Sequence, residues 1–232
     1  MSGTIDGFFC ETIVTCEGIQ NSDRAEVLGG TRLASQQEHL QNEAGERVIK
    51  LSLKTEMPKL KPLHPEVIAM LQAALKVGMK ALGAPRIGWL RIEDPENEIY
   101  FQEIPNSVAQ SERLEKFHMA LSAIESRGVG FSQIEILAKI FSQRVNVAEP
   151  WYKSLVRTKD VLEENAVKRA VAEWADGDSI AAHIGYGIDY FCTNDIGKSA
   201  KTDSIFDIEN RAWLNQHYGV KIITLSDLAK MV

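Results

Sequence analysis

Two aspartates carry the first chemical possibility in this chain. Asp178 stands in "DGDSIAAHIGYG" and Asp195 ends "YFCTND". Tyr190 to Thr193 reads as a short strand, which sets Asp195 at its C-terminal tip, where open α/β sheets place their chemistry. Asp178 reads as the start of a helix that Gly187 closes and that feeds this strand. A helix of about ten residues spans roughly 15 Å, and the strand returns a similar distance, so both carboxylates can finish at one edge of the sheet. Gathered carboxylates repel, and such a cluster holds only when a cation or protons neutralise it. Oxygen-only ligands suit Mg²⁺ or Mn²⁺ rather than zinc. An ion held this way can activate a water and stabilise the charge that develops on a phosphodiester. Each residue also has a plainer role. An Asp at a helix start is a common N-cap, and Asn194–Asp195 is a turn-forming pair.

The elements that must position these acids follow from periodicity. The opening "TIDGFFCETIVTCEGI" begins as a possible short strand and from about Thr12 can run as a helix, with Ile13, Cys16, Glu17 and Gln20 close together on it. Residues 21–46 are polar and read as a loop. "RVIKLSLK" (47–54) alternates and reads as a strand, and Pro65 suits the first turn of a helix. "PRIGWLRI" (85–92) and "EIYFQEI" (98–104) are strand-like, so 47–104 has the order β-α-β-β. Helices are expected over about 111–126, 132–143 and 160–174, then the Asp178 helix, the strand at 190–193, a helix over about 204–217, a strand at 220–224 and a short final helix. Helix and strand alternating at this spacing argue for parallel strands with right-handed crossovers.

The 232 residues suit one large domain, or one domain with an insertion, and 44% hydrophobic with 25% charged residues is ordinary globular composition. A net charge of −6 argues against a general nucleic-acid coat, but not against a nuclease whose acids hold metal. Cys10, Cys16 and Cys192 form no CxxC pair, which suits a reducing compartment and gives no zinc signature. Cys192 is expected to pack in a buried strand, and His183 to pack on its helix. No apolar run approaches bilayer length and the first residues lack a signal peptide's pattern. A cytoplasmic protein without membrane attachment is expected.

The stretch "DSIAAHIGYGIDYFCTND" resembles the C-terminal half of PIN-domain ribonucleases, and "YGVKIITLSDL" resembles that family's last strand and helix. The resemblance covers about 178–228. It implies an α/β, parallel-sheet, three-layer PIN-like domain formed by 1–46 and 151–232, with 47–150 as an inserted α+β segment. Asp178 and Asp195 fall on two of the family's metal-site acids, and "GFFCETIVTCEGI" places Glu17 on a third, with Glu11 as a second candidate. The family's first strand, ending in Asp, has no counterpart before residue 8. The activity implied is Mg²⁺- or Mn²⁺-dependent hydrolysis of single-stranded RNA, impaired by that missing acid. Thr193 and Asn194 would support the site, and Lys198 and Lys201 would meet substrate phosphates. A protein partner or antitoxin, or a homodimer, is implied by the same resemblance. The alternative is a non-catalytic PIN-like module that binds RNA or protein. A nucleotide-binding Rossmann-like half is disfavoured because no glycine fingerprint follows a strand.

Overall fold

The computed structural model describes residues 5–20, 22–42, 45–56, 64–84, 86, 92–102, 107–144, 149–197 and 203–231. Its elements in chain order are β1 (Phe8–Cys10), a π-helical turn (Ile13–Glu17), α1 (Arg24–Gly30), β2 (Arg32–Gln41), β3 (Arg47–Glu56), α2 (Pro65–Lys76) and β4 (Lys80–Leu82). They continue with α3 (Ser107–Ser126), α4 (Ser132–Ser142), a 3₁₀ segment (Trp151–Arg157), α5 (Val161–Tyr186), β5 (Phe191–Cys192), α6 (Ile208–Tyr218), β6 (Ile222–Ile223) and α7 (Leu225–Leu228).

Helix α5 organises the molecule. Asp160 caps it, its carboxylate accepting from the amides of Leu162 (2.9 Å) and Glu163 (3.0 Å), and Glu163 and Glu164 suit the positive end of the dipole. Val167, Ala170, Val171, Trp174 and Ala175 recur at three- and four-residue spacing and are buried, as are Ile180, Ala181 and Ala182 further on. The helix runs 26 residues to Gly187, whose φ of +68° ends it in the left-handed conformation. Asp178 therefore lies inside this helix and does not begin one. The reason is Gly177. A Cβ there would stand 2.9 Å from the Cα of Gly130, so this glycine marks a close approach between α5 and the turn after α3, not a break in the helix.

The strands form three pairs among the described residues. β1–β4 and β5–β6 are parallel, and β2–β3 is antiparallel. The chain is thus mixed α/β with short parallel strands, as the alternation of elements predicts. A strand does precede the first helical turn: β1 ends directly before Glu11, so a carboxylate stands at the tip of the first parallel strand. Residues 21–46, expected as loop, carry α1 and β2 instead, because β2 finds its partner in β3. Most of 85–92 lies outside the described residues, and among the described residues of 98–104 Tyr100 bridges to Ala81.

Two apolar cores result. One gathers Cys10, Ala84, Phe117, Ala120, Ile124, Ile180, Ala181, Phe206 and Leu214. The other gathers Cys16, Leu28, Ile134, Ala138, Phe141, Leu155, Val171 and Trp174. Residues of the 47–150 segment share both cores with residues on either side of it.

Candidate acidic site

Asp178 is fully buried, and every part of its carboxylate is engaged. Oδ1 accepts from Arg86 Nε at 2.7 Å, and Oδ2 accepts from Thr12 Oγ1 and Trp174 Nε1, each at 3.2 Å. The same guanidinium donates to Glu125 at 2.6 Å and lies 4.4 Å over the Phe131 ring. Burial pushes the Asp178 carboxyl up to about 6, against the opposing pull of Arg86, Thr12 and Trp174. The arginine supplies the positive charge here. Glu11, beside this network, is likewise buried: it accepts from the Ala84 amide at 2.7 Å and from the Tyr100 hydroxyl, tying the start of the chain to β4 and the segment after it.

Two residues earlier on α5, about 200° around the helix, Asp176 faces other company. It is half-buried and makes no side-chain hydrogen bond among the described residues. Burial, then the charges of Glu173, Glu17 and Asp195, push its carboxyl up to about 8. Glu173, one turn back on the same face, is buried and accepts from the amides of Ile205 (2.6 Å) and Gly130 (3.4 Å). Burial nonetheless raises it, and Asp195 adds to the rise. Glu17, at the end of the π-helical turn, has an exposed surface, yet desolvation on its protein-facing side raises it. Arg24 opposes the rise and Asp195 adds to it. Four carboxyl groups from the first helical turn, α5 and the segment after β5 thus share one electrostatic neighbourhood. Asp176 and Glu173 are the members that sequence reasoning missed. Their spacing of three would have paired them on one face, had the helix been carried past Trp174.

Asp195 follows β5, as expected of a strand tip. Its Oδ1 accepts from the Gly197 amide at 2.8 Å, and its own amide donates to Thr193 Oγ1 at 3.0 Å. Thr193 also donates its amide to Ile223, and Asn194 Oδ1 accepts from the Leu225 amide at 3.4 Å, so both residues fasten the tip to β6 and α7. The turn-forming role and the exposed carboxylate coexist. Lys198 and Lys201 lie outside the described residues. His183 is buried, edge-on to Phe191, and burial lowers it to about 4. Cys192 is exposed instead of packed, since β5 is only two residues long and the chain leaves the sheet beside it.

The donor set around Asp176 is all oxygen, which fits a hard divalent ion, and among the described residues Asp176 lacks the partner its burial calls for. Among the described residues no three acids, histidines or cysteines stand close enough to hold one ion as placed. No helix among them is long and apolar enough to cross a membrane. No known family, curated protein or solved structure matches the chain.

Proposed function

We propose that the chain is a PIN-like, three-layer hydrolase that cleaves single-stranded RNA phosphodiesters with Mg²⁺ or Mn²⁺. Glu17, Asp176 and Asp195 would hold the ion, with Glu173 behind them. The single observation that supports this reading is the Asp176 carboxyl, half-buried, without a side-chain hydrogen bond among the described residues, and pushed up to about 8 by burial first and then by the charges of Glu173, Glu17 and Asp195. The resemblance marks Asp178 for the same role. Its three hydrogen bonds and its pairing with Arg86 favour a positioning role instead, with Asp178 fixing the helix that carries Asp176. Glu173, anchored by the Gly130 and Ile205 amides, would orient the face on which Asp176 sits. Thr193 and Asn194 would fix the height of Asp195 by tying its loop to β6 and α7. A bound divalent ion would supply a water of lowered pKa and neutralise charge on the phosphate. Lys198 and Lys201, close in sequence to Asp195, are proposed to attract the RNA backbone.

Cleavage of a mixed single-stranded RNA pool in Mn²⁺, and its loss in chelator, tests the activity. Asp176→Asn and Asp195→Asn should each lower the rate at least about 100-fold with the fold retained, as for loss of a charge-stabilising group. Equal cleavage by wild type and both variants removes the proposed site. That no three donors among the described residues converge on one ion favours a second reading, a non-catalytic module for RNA or a protein partner such as an antitoxin. RNA binding without cleavage by wild type would establish that reading in place of the first.

A further inference from the structure

The β2–β3 ribbon contributes no residue to either core. Each strand is ten residues long, and among the described residues no other strand pairs with either outer edge. Ile49, Leu51 and Leu53 share one face of β3 and are 60%, 61% and 43% exposed. Opposite them on β2 stand His39, Gln37 and Ser35. A two-stranded ribbon alone is marginal in water, and three or more strands with an apolar face are needed for independent stability. A bare edge beside exposed apolar side chains is a template for another strand.

The sequence of β3 says which strand fits. Consider β3 run antiparallel against its own copy with Leu51 opposite Leu51. Ile49 then meets the copy's Leu53, and Lys50 meets the copy's Ser52. Ile49, Leu51 and Leu53 of both copies stay on one face, with Val48, Lys50 and Ser52 on the other, and no like charges are opposed at these rungs. A slip of one residue would set the apolar side chains of one copy against the polar face of the other. The next registers that keep the faces aligned set Lys50 opposite its own copy, or bring lysine positions 50 and 54 opposite each other, and like charges so placed destabilise a sheet. The β2 edge, with Ser35, Gln37 and His39 on that face, has no apolar row to continue.

We infer that two copies of this chain pair through their β3 edges about a two-fold axis at Leu51, merging the ribbons into one four-stranded antiparallel sheet in the order β2–β3–β3–β2. Main-chain hydrogen bonds along the new ladder supply affinity, and the joined row of Ile49, Leu51 and Leu53 from both copies sets the register. The inference stands apart from the acidic site, and nothing in it depends on RNA or metal.

Light scattering on the full chain, over a range of concentrations, should show a concentration-dependent dimer. Leu51→Lys, which opposes two lysines on the axis, should give a monomer that keeps its helical far-UV signal and the thermal transition of the cores, because the ribbon packs in neither core. Disulfide trapping in a Cys192→Ser background fixes the geometry, since Cys10 and Cys16 are buried. Leu51→Cys should link two copies. So should the double variant Lys50→Cys/Ser52→Cys, on the opposite face of the ladder. A monomer at all concentrations, a dimer that Leu51→Lys leaves intact, or trapping by Leu51→Cys alone would overturn the proposal. The last result would mean that the ribbons stack face to face.

Discussion

At the scale of single residues, the chain sorts its acids by what neutralises them. Asp178 has Arg86, Glu11 has an amide and a tyrosine hydroxyl, and Glu173 has two amides, while among the described residues Asp176 has other acids as its charged neighbours. This gives a signed expectation for pH. An unfolded Asp titrates near 3.8, whereas folded Asp176 holds its proton up to about 8. The folded state therefore binds the proton more tightly, and this contribution to stability is fully present below about pH 4 and is lost as pH rises through 8. Asp176→Asn, which cannot ionise, should be more stable than wild type by an amount that grows from pH 5 to pH 8. The gain should reach on the order of 2 kcal/mol, discounted from the full shift because the half-buried group is partly screened. Urea titrations at the two pH values measure it. A difference that does not change with pH would mean that the proton on Asp176 carries no such weight. Mn²⁺ should close the gap by stabilising wild type alone. Asp195 was legible in the sequence because a strand tip and a turn are both local signals. Asp176 was not, because its burial, and the approach of Glu17 and Asp195 to the face it shares with Glu173, come from contacts between separate elements.

At the scale of elements, most helices were legible and the joints between them were not. The spacing of apolar residues predicts helices over 111–126, 132–143 and 160–174, and the structure has α3, α4 and α5 there. Pro65 does open α2. The error lay at "DGD", where a glycine between two aspartates has the composition of a helix stop and cap. Whether such a glycine breaks a helix depends on what lies against it, here the backbone of Gly130, and that contact is invisible locally. Gly177→Ala tests the explanation. By helix propensity alone it should stabilise by about 1 kcal/mol. The approach of 2.9 Å to a backbone atom reverses the sign. Because neither backbone can step aside as a side-chain tip could, we expect a net loss of about 1–3 kcal/mol. Chemical denaturation gives the value, and a stabilised variant would show that the turn at Gly130 yields.

At the scale of the whole molecule, α5 makes the two cores depend on each other. Its part before Gly177 contributes Val167, Val171 and Trp174 to one, and its part after Gly177 contributes Ile180, Ala181 and Ala182 to the other. Length and composition predict one large domain, or one domain with an insertion, but nothing local says that Phe117 and Leu214, or Cys16 and Phe141, share a core, since such contacts join segments about a hundred residues apart. A helix of 26 residues gains little from its own hydrogen bonds in water and holds mainly through the face it buries. Loss of either core would strip half of that face and leave the remainder to fray. The cores should therefore open together. Leu214, fully buried in the first core, lies on α6 and takes no part in the second. Leu214→Ala should cost about 2–5 kcal/mol through the cavity it leaves. If α5 couples the cores, native-state hydrogen exchange should show the most protected amides of α4, in the second core, losing as much protection as those of α6, in the first. Unchanged protection in α4 would mean that the cores unfold separately and that α5 parts near its middle, close to Gly177, the residue whose neighbours Asp176 and Asp178 face opposite ways.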